Sequence, residues 1–414
     1  MLKAISLFSG IGGLDFGFEQ AGYSIRVALD IDRHCCSTLR LNRPELEIIE
    51  DDINNVSSRD ILKRAGLKKG EADILIGGPP CQPFSKSGYW ARGDALRLND
   101  PRANTLIAYL RVLRDARPRA FLLENVTGLV YANKDEGLKL LLDGVAQINR
   151  EARTNYQVHW KVLNCADYGV PQVRERVFLV GSRDGRPFEF PTPTHGARAE
   201  ESSSALEPYR TAWDAIGDLA EPDASETGVA ATGKWADLLP SIPEGENYLW
   251  HTERGGGLSL FGWRTRYWGF LLKLAKARPA WTIQAQPGPA IGPFHWRNRR
   301  LSLHELSRLQ TFPDDIRVES GRTEMQRMLG NAVPSLIGEI LAREIRAQFF
   351  DTATRRALRL MPPKRSDEPA PEKIKKVHAK YLSLVGTHAA HPGEGRGRMA
   401  RKRPLGSPAI ESIE

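Results

Sequence analysis

The chain has 414 residues, 41% of them apolar and 26% charged, with 59 Lys and Arg against 50 Asp and Glu for a formal charge of +9. These proportions suit a folded chain of two or three domains and exclude a wholly disordered, collagenous or disulfide-stapled one. No run approaches the roughly 18 consecutive apolar residues of a membrane span, and the four cysteines (Cys35, Cys36, Cys81, Cys165) lack the CxxC spacing of a zinc site. A reducing, cytoplasmic setting with no membrane partner and no metal is expected.

In chain order, Ala4–Phe8 is an apolar run of strand length that meets glycine at once, so it reads as the first strand of a domain and not as a signal peptide. Short β-rich runs follow at Ser24–Leu29, Asp73–Ile76 and Ala120–Leu123, separated by amphipathic segments such as 102–116 and 135–150. This alternation predicts an α/β fold, a doubly wound and mostly parallel sheet covered on both faces. Val158–Leu163 and Val177–Val180 flank a turn and predict an antiparallel hairpin at one edge, completing a first domain at 1–181.

From 182 to 299 the chain is rich in Pro, Gly and Ser, holds seven of the nine tryptophans and shows no sustained period, which predicts a smaller, loop-rich domain. Its tryptophans are expected mainly in its core. Helical signals return at 302–311 and 334–349, where Pro334 suits a first helical position and Leu336, Ile340, Leu341 and Ile345 form an apolar stripe. Residues 300–350 therefore read as helices returning to the first domain. Residues 351–414 hold 14 Lys and Arg against 7 Asp and Glu, and read as a basic, mobile tail with one short amphipathic helix at 372–386. Such a tail is either a solvated extension or a grip on nucleic acid phosphates that ignores sequence.

Four segments carry chemistry. Phe8-Ser-Gly-Ile-Gly-Gly13 is a glycine turn opening a helix, with Asp30 placed after the second strand where a carboxylate can take both hydroxyls of a ribose. Asp15 stands where the third glycine of a dinucleotide fingerprint belongs, so a pyrophosphate cofactor is disfavoured and a nucleoside without phosphates is allowed; a tight structural turn is the plain alternative. Gly77-Gly-Pro-Pro-Cys81 places a thiol at the carboxyl end of a strand between residues that fix the backbone. A cysteine is more often a small buried hydrophobe, a reading that suits Cys35, Cys36 and Cys165. Glu124 ends another strand at the same edge, as a cap, a solvated charge or a functional carboxylate. Arg174 and Arg176, two apart, share a face if extended.

Together and in order, these residues resemble the DNA (cytosine-5) methyltransferase family. The matches are FSGIGG at 8–13, Asp30, Asp52-Ile53, PCQ at 80–82, ENV at 124–126, QxRxR at 172–176, RLSLHELSRLQTFPD at 300–314 and GNAVP at 330–334, spanning residues 4–345. DDI stands where the family often has GDI, and Asp30 where it often has Glu; both keep the carboxylate. The resemblance implies a fold of the S-adenosylmethionine-dependent methyltransferase type, with 182–299 as target-recognition domain, and a monomer acting on double-stranded DNA, functionally paired in some cases with a restriction endonuclease.

It also implies roles. Cys81 is the nucleophile, Glu124 the acid at the cytosine ring, and Arg176 with Arg174 the groups that hold the cytosine and a nearby phosphate. S-adenosylmethionine lies near Phe8, Gly10, Ile11, Gly13, Asp30, Ile31, Asp52, Ile53, Gly78, Pro80, Leu106, Asn331 and Ala332. The loop Ser85–Asn99 closes on the flipped base, with Lys86, Arg92 and Arg97 for phosphates and Tyr89 or Trp90 for packing. Arg254, Arg264, Arg266, Tyr267 and His295 are available to read sequence. The competing readings are a tRNA cytosine-5 methyltransferase and a non-catalytic DNA-binding accessory protein, the latter disfavoured because Cys81, Glu124 and Arg176 are all present.

Overall fold

Strand β1 (Leu2–Leu7) opens the computed structural model, which describes residues 1–80, 104–130, 136–197, 206–219, 222, 228–263, 268–353 and 356–386. There follow α1 (Gly13–Gln20), β2 (Tyr23–Asp30), α2 (Arg33–Asn42), β3 (Glu47–Glu50), α3 (Ser58–Arg64), β4 (Ile74–Gly77), α4 (Asn104–Ala116), β5 (Ala120–Asn125), α5 (Glu136–Ala152), β6 (His159–Asn164) and β7 (Glu175–Ser182). Beyond them come the short strands β8 (His195–Gly196) and β9 (Glu207–Pro208), then α6 (Ala212–Ile216), α7 (Leu303–Leu309), α8 (Arg322–Asn331) and α9 (Ser335–Phe350). Helix α8, which runs into GNAVP and ends at its Asn331, has no counterpart in the sequence expectation.

The seven strands run in the order β3-β2-β1-β4-β5-β7-β6. β1 to β5 are parallel, and β7 lies antiparallel to both β5 and β6. Alternate strand residues face opposite sides, and the core obeys this. Ile5, Leu75, Phe121, Leu123, Val177 and Leu179 join α3, α4 and α5 on one face. Ala4, Ile74, Ile76, Leu122, Phe178 and Val180 join α1 and α9 on the other.

Contacts divide the chain into a first unit of residues 1–229, 275–287 and 301–369, and a second of 230–274, 288–300 and 370–414. The boundaries differ from those expected at 182, 299 and 351. The described part of 182–229 belongs to the first unit through its hydrogen bonds: Thr194 N, before β8, donates to Asp167 O, Glu207 N in β9 to Thr194 O, Ala212 N in α6 to Arg278 O and Trp213 N to Lys276 O. The described part of the supposed mobile tail is also fastened, as Arg365 pairs with Asp218 at 2.7 Å in the first unit.

In the second unit Trp235, Tyr248, Phe261, Phe270, Phe294 and Tyr381 pack into an aromatic core with little regular structure. Buried Lys273 donates to Ile242 O at 2.7 Å and Asn298 Oδ1 at 2.8 Å, satisfying the loops around it. Residues 371–378 are not helical, and only a 3-10 turn forms at Ala379–Leu384. Tertiary contacts override the helical pattern: Lys375 N donates to Pro240 O, Tyr381 stacks on Trp235 at 5.6 Å, and its hydroxyl donates to Lys234 O. Among the described residues no helix is long and apolar enough to cross a membrane.

Candidate active site

The carboxyl ends of β4 and β5 meet at one edge of the sheet. β4 leaves into Gly78-Pro79-Pro80, whose last two carbonyls are tied from the end of β5 and the start of α4: Asn125 Nδ2 donates to Pro79 O at 3.0 Å and Thr105 Oγ1 to Pro80 O at 3.2 Å. The backbone is thus held up to the residue before Cys81. Cys81 itself and the loop Ser85–Asn99, with Lys86, Tyr89, Trp90, Arg92 and Arg97, lie outside the described residues.

Glu124, at the end of β5, is buried beside this turn, with Arg176 Nε 3.0 Å from its Oε1. Its other oxygen, Oε2, faces Gly78, where a Cβ would come within 2.9 Å of it, so only glycine leaves the carboxyl this close to the turn that leads to Cys81. Burial pushes the Glu124 carboxyl up from its ordinary value, and Arg176 and Arg174 pull against it. The pocket therefore favours a held proton more than a surface glutamate does. Cys165 is fully buried nearby, and burial pushes its thiol up to about 12, which leaves it inert. Cys35 and Cys36 are also free and buried.

Arg174 is placed differently from expectation. It is 1% exposed, and its Nη2 donates to Gly330 O at 2.9 Å and Ala332 O at 3.0 Å, while burial lowers its pKa to about 9. So deep a guanidinium has no surface to offer a DNA phosphate. It is a positioning residue that fastens the GNAVP turn. Gln310 does the same by donating to Leu329 O, and Gln172, two residues before Arg174, donates to Gln310 Oε1 at 3.1 Å. Three sequence elements far apart in the chain thus meet in one buried polar network.

The same network sets the C-terminal turn against the glycine turn. A Cβ on Gly13 would collide with Val333 O, and one on Gly17 with the backbone of Ser335 and Glu339, so α1 and α9 pack backbone to backbone. Around this seam lie the expected cofactor residues. Asp30 accepts from Gly10 N at 2.7 Å and from Asp32 N at 2.8 Å, which fixes the carboxylate while leaving each oxygen a second lone pair. Burial pushes its carboxyl up, opposed by those two donors. Ile31, next to it, is 67% exposed, an apolar platform at the sheet edge.

Nothing lies within 4 Å of where a Cβ on Gly10 would stand, so the turn opens into free space. Asp52 caps its own turn, accepting from Asn54 N at 2.9 Å. Phe8 holds a left-handed φ of 54°. Ile11, Ile53 and Leu106 are buried, Ala332 is half-buried, and Gly78, Pro80 and Asn331 reach the surface to differing degrees. A fixed carboxylate, an exposed apolar side chain and an open glycine turn form a cradle that fits an adenosine without phosphates.

Two groups escaped the sequence reading. Asp32 caps α2 by accepting from His34 N at 2.9 Å and Cys35 N at 3.2 Å. Arg327, on α8, meets Asp32 Oδ2 at 2.5 Å and so ties the Asp30-Ile31-Asp32 turn to the helix that ends in Asn331. An aspartate followed by a helical stretch was a visible N-cap signal; nothing in the sequence around Arg327 announces its partner.

Residues 2–347 match the family of C-5 cytosine-specific DNA methylases. The chain is 40% identical to the type II methyltransferase M.SacI of Streptomyces achromogenes, over 84% of this chain and 93% of that protein. The chain belongs to the C-5 cytosine-specific DNA methylase family. Its fold is shared with a putative DNA modification methyltransferase encoded within an E. coli prophage, at a TM-score of 0.62 and 20% identity over 84% of this chain and all of that one. DNMT2 of Spodoptera frugiperda matches at 0.54 and 18% identity, again over 84% of this chain and all of that one. This is the fold of the S-adenosylmethionine-dependent methyltransferases.

In the second unit of this methyltransferase, Arg254 is exposed and lies over the Trp263 ring at 3.9 Å. His295 is buried against Trp296 at 4.0 Å. Arg264, Arg266 and Tyr267 lie outside the described residues. The tryptophans are divided: Trp235 and Trp296 are buried, Trp263 and Trp268 are exposed, and Trp213 and Trp281 belong to the first unit.

Proposed function

We propose that this methyltransferase transfers a methyl group from S-adenosylmethionine to carbon 5 of a cytosine flipped out of a specific duplex DNA sequence, through a covalent adduct at Cys81. The observation that carries the reading is the buried Glu124, held by Arg176 on one oxygen and turned with the other toward Gly78, three residues before Cys81. Carbon 5 of cytosine is a weak nucleophile until the ring's aromaticity is broken. Addition of the Cys81 thiolate at carbon 6 breaks it. Glu124, protonated, donates to cytosine N3 and accepts from the exocyclic amine, drawing electron density away as the thiolate adds.

S-adenosylmethionine supplies the electrophilic methyl group. Loss of the carbon 5 proton then expels Cys81 and restores the ring. Asp30 would take the ribose hydroxyls, Ile31 would pack on the adenine, Gly78, Pro80 and Leu106 would border the methionine end, and Asn331 and Ala332 would join the site from the C-terminal part of the chain. The target base is unreachable in stacked duplex, so flipping costs a few kcal/mol. The second unit reads the sequence, and the type II name of M.SacI supports a functional pairing with a restriction endonuclease. The enzyme acts as a cytoplasmic monomer.

Duplex DNA carrying 5-fluorocytosine at the target should trap a covalent complex when S-adenosylmethionine is present, because the carbon 5 fluorine cannot leave as a proton does. Cys81→Ser should abolish the trapped band, and a band that survives would reject the mechanism. The same assay on total tRNA separates the RNA reading, which predicts trapping there and none on duplex DNA.

A further inference from the structure

The net charge is not shared between the units. The second unit holds 17 Lys and Arg against 8 Asp and Glu, the whole formal charge of +9, while the first holds 42 of each. Residues 370–386, beyond the family match that ends at 347, form a strap on this basic unit. Tyr381 is 2% exposed in the aromatic core, Val377 and Leu384 pack on the same core, and Lys380 pairs with Asp237. A merely solvated extension has no need of such fastening.

On this fastened strap Lys373, Lys375 and Lys376 are exposed, and none of the three forms an ion pair with a described residue. Two carboxylates beside the strap are already engaged: Glu244 Oε1 accepts from Glu372 N at 2.8 Å, and Asp237 is taken by Lys380. We propose that the strap is an added phosphate-binding edge of the second unit, with Lys373, Lys375 and Lys376 contacting the backbone of duplex DNA. The partner follows from charge complementarity. Unpaired ammonium groups held at close spacing on a unit of net positive charge match a polyanion of regular spacing, and release its condensed counterions. Because such contacts touch no base edge, they add affinity and leave sequence choice unchanged. The inference rests on the proposed duplex DNA substrate.

The test is the salt dependence of duplex binding by the full chain carrying K373A, K375A and K376A together. Each phosphate contact contributes about −0.9 to the slope of log K against log salt, so the triple variant should be shallower by about 2 to 3, bind more weakly at low salt and methylate the same sequence. Triple Lys→Arg substitution should retain the slope, and a control with K63A, K68A and K69A on the first unit should leave it as in the parent. An unchanged slope in the strap variant, an equal loss in the control, or a changed methylation sequence would each overturn the proposal. Failure of the parent chain to bind any duplex would instead reject the underlying DNA reading.

Discussion

The two units of this methyltransferase are built on opposite principles. The first is electrically neutral and regular, a sheet whose alternate residues feed two apolar layers. Its special groups are buried and tied to backbone: Asp30 to Gly10 and Asp32, Arg174 to Gly330 and Ala332. The second carries the whole net charge, has little regular structure, and hangs on one aromatic cluster closed by a residue from the far end of the chain. Chemistry that needs atoms placed to fractions of an ångström sits on a rigid scaffold. Attraction to a polyanion needs charge and reach, and tolerates irregular backbone.

The largest expected effect sharpens the first half of this contrast. Glu124→Gln keeps the shape and removes the proton donor, and kcat should fall by about 10² to 10⁴, with the salt slope of DNA binding unchanged. Because burial raises the Glu124 pKa, the parent's dependence on the protonated carboxyl should decline as pH rises through that raised value. The Gln variant should lose this limb of the pH profile. A salt slope that changed with the substitution would show that catalysis and phosphate attraction do not separate between the two units.

Next in size, Tyr381→Ala strikes the second unit. Removing a buried aromatic costs about 3–5 kcal/mol, so calorimetry should show an early transition for this unit, while the first unit still binds S-adenosylmethionine. A single, unshifted transition would break the picture of a strap closing that core.

The smallest effect concerns the hinge of the cofactor cradle. Arg327→Ala releases the Asp30-Ile31-Asp32 turn from α8 and should weaken S-adenosylmethionine binding by about fivefold to tenfold, on the scale of a partly buried ion pair near 1 kcal/mol, with kcat unchanged and Lys restoring part of it. Burial alone would raise the Asp32 carboxyl, but the Cys35 N–H and Arg327 hold it below its ordinary value. The bridge is therefore fully present above that ordinary value and lost as pH falls through the lowered one, so the deficit of the variant should close in acid.

Much of the first unit was legible. The runs at Ala4–Phe8, Ser24–Leu29, Asp73–Ile76 and Ala120–Leu123 coincide with β1, β2, β4 and β5 to within two residues, because buried parallel strands read as apolar runs between glycine turns. Glu124 and Arg176 were visible as motif residues, and the structure brings them together. Arg174 was visible as a residue but not as a role, since the carbonyls it ties belong to a turn formed far downstream. The end of the chain misled most. Its lysines and prolines satisfy every compositional sign of mobility, and contacts remote in sequence, with Trp235, Lys234, Asp237 and Pro240, show why residues 370–386 have a fixed place.

The seam between α1 and α9 orders events during synthesis. A nascent chain that has emerged as far as residue 300 contains every strand of the sheet, yet lacks Val333 to cover Gly13 and the carbonyls of Gly330 and Ala332 that Arg174 requires. One face of the sheet stays wet and one guanidinium stays without its oxygen partners until residues 330–339 have emerged. A product terminated before residue 330 therefore carries Cys81, the proposed nucleophile, without the turn that completes the cradle.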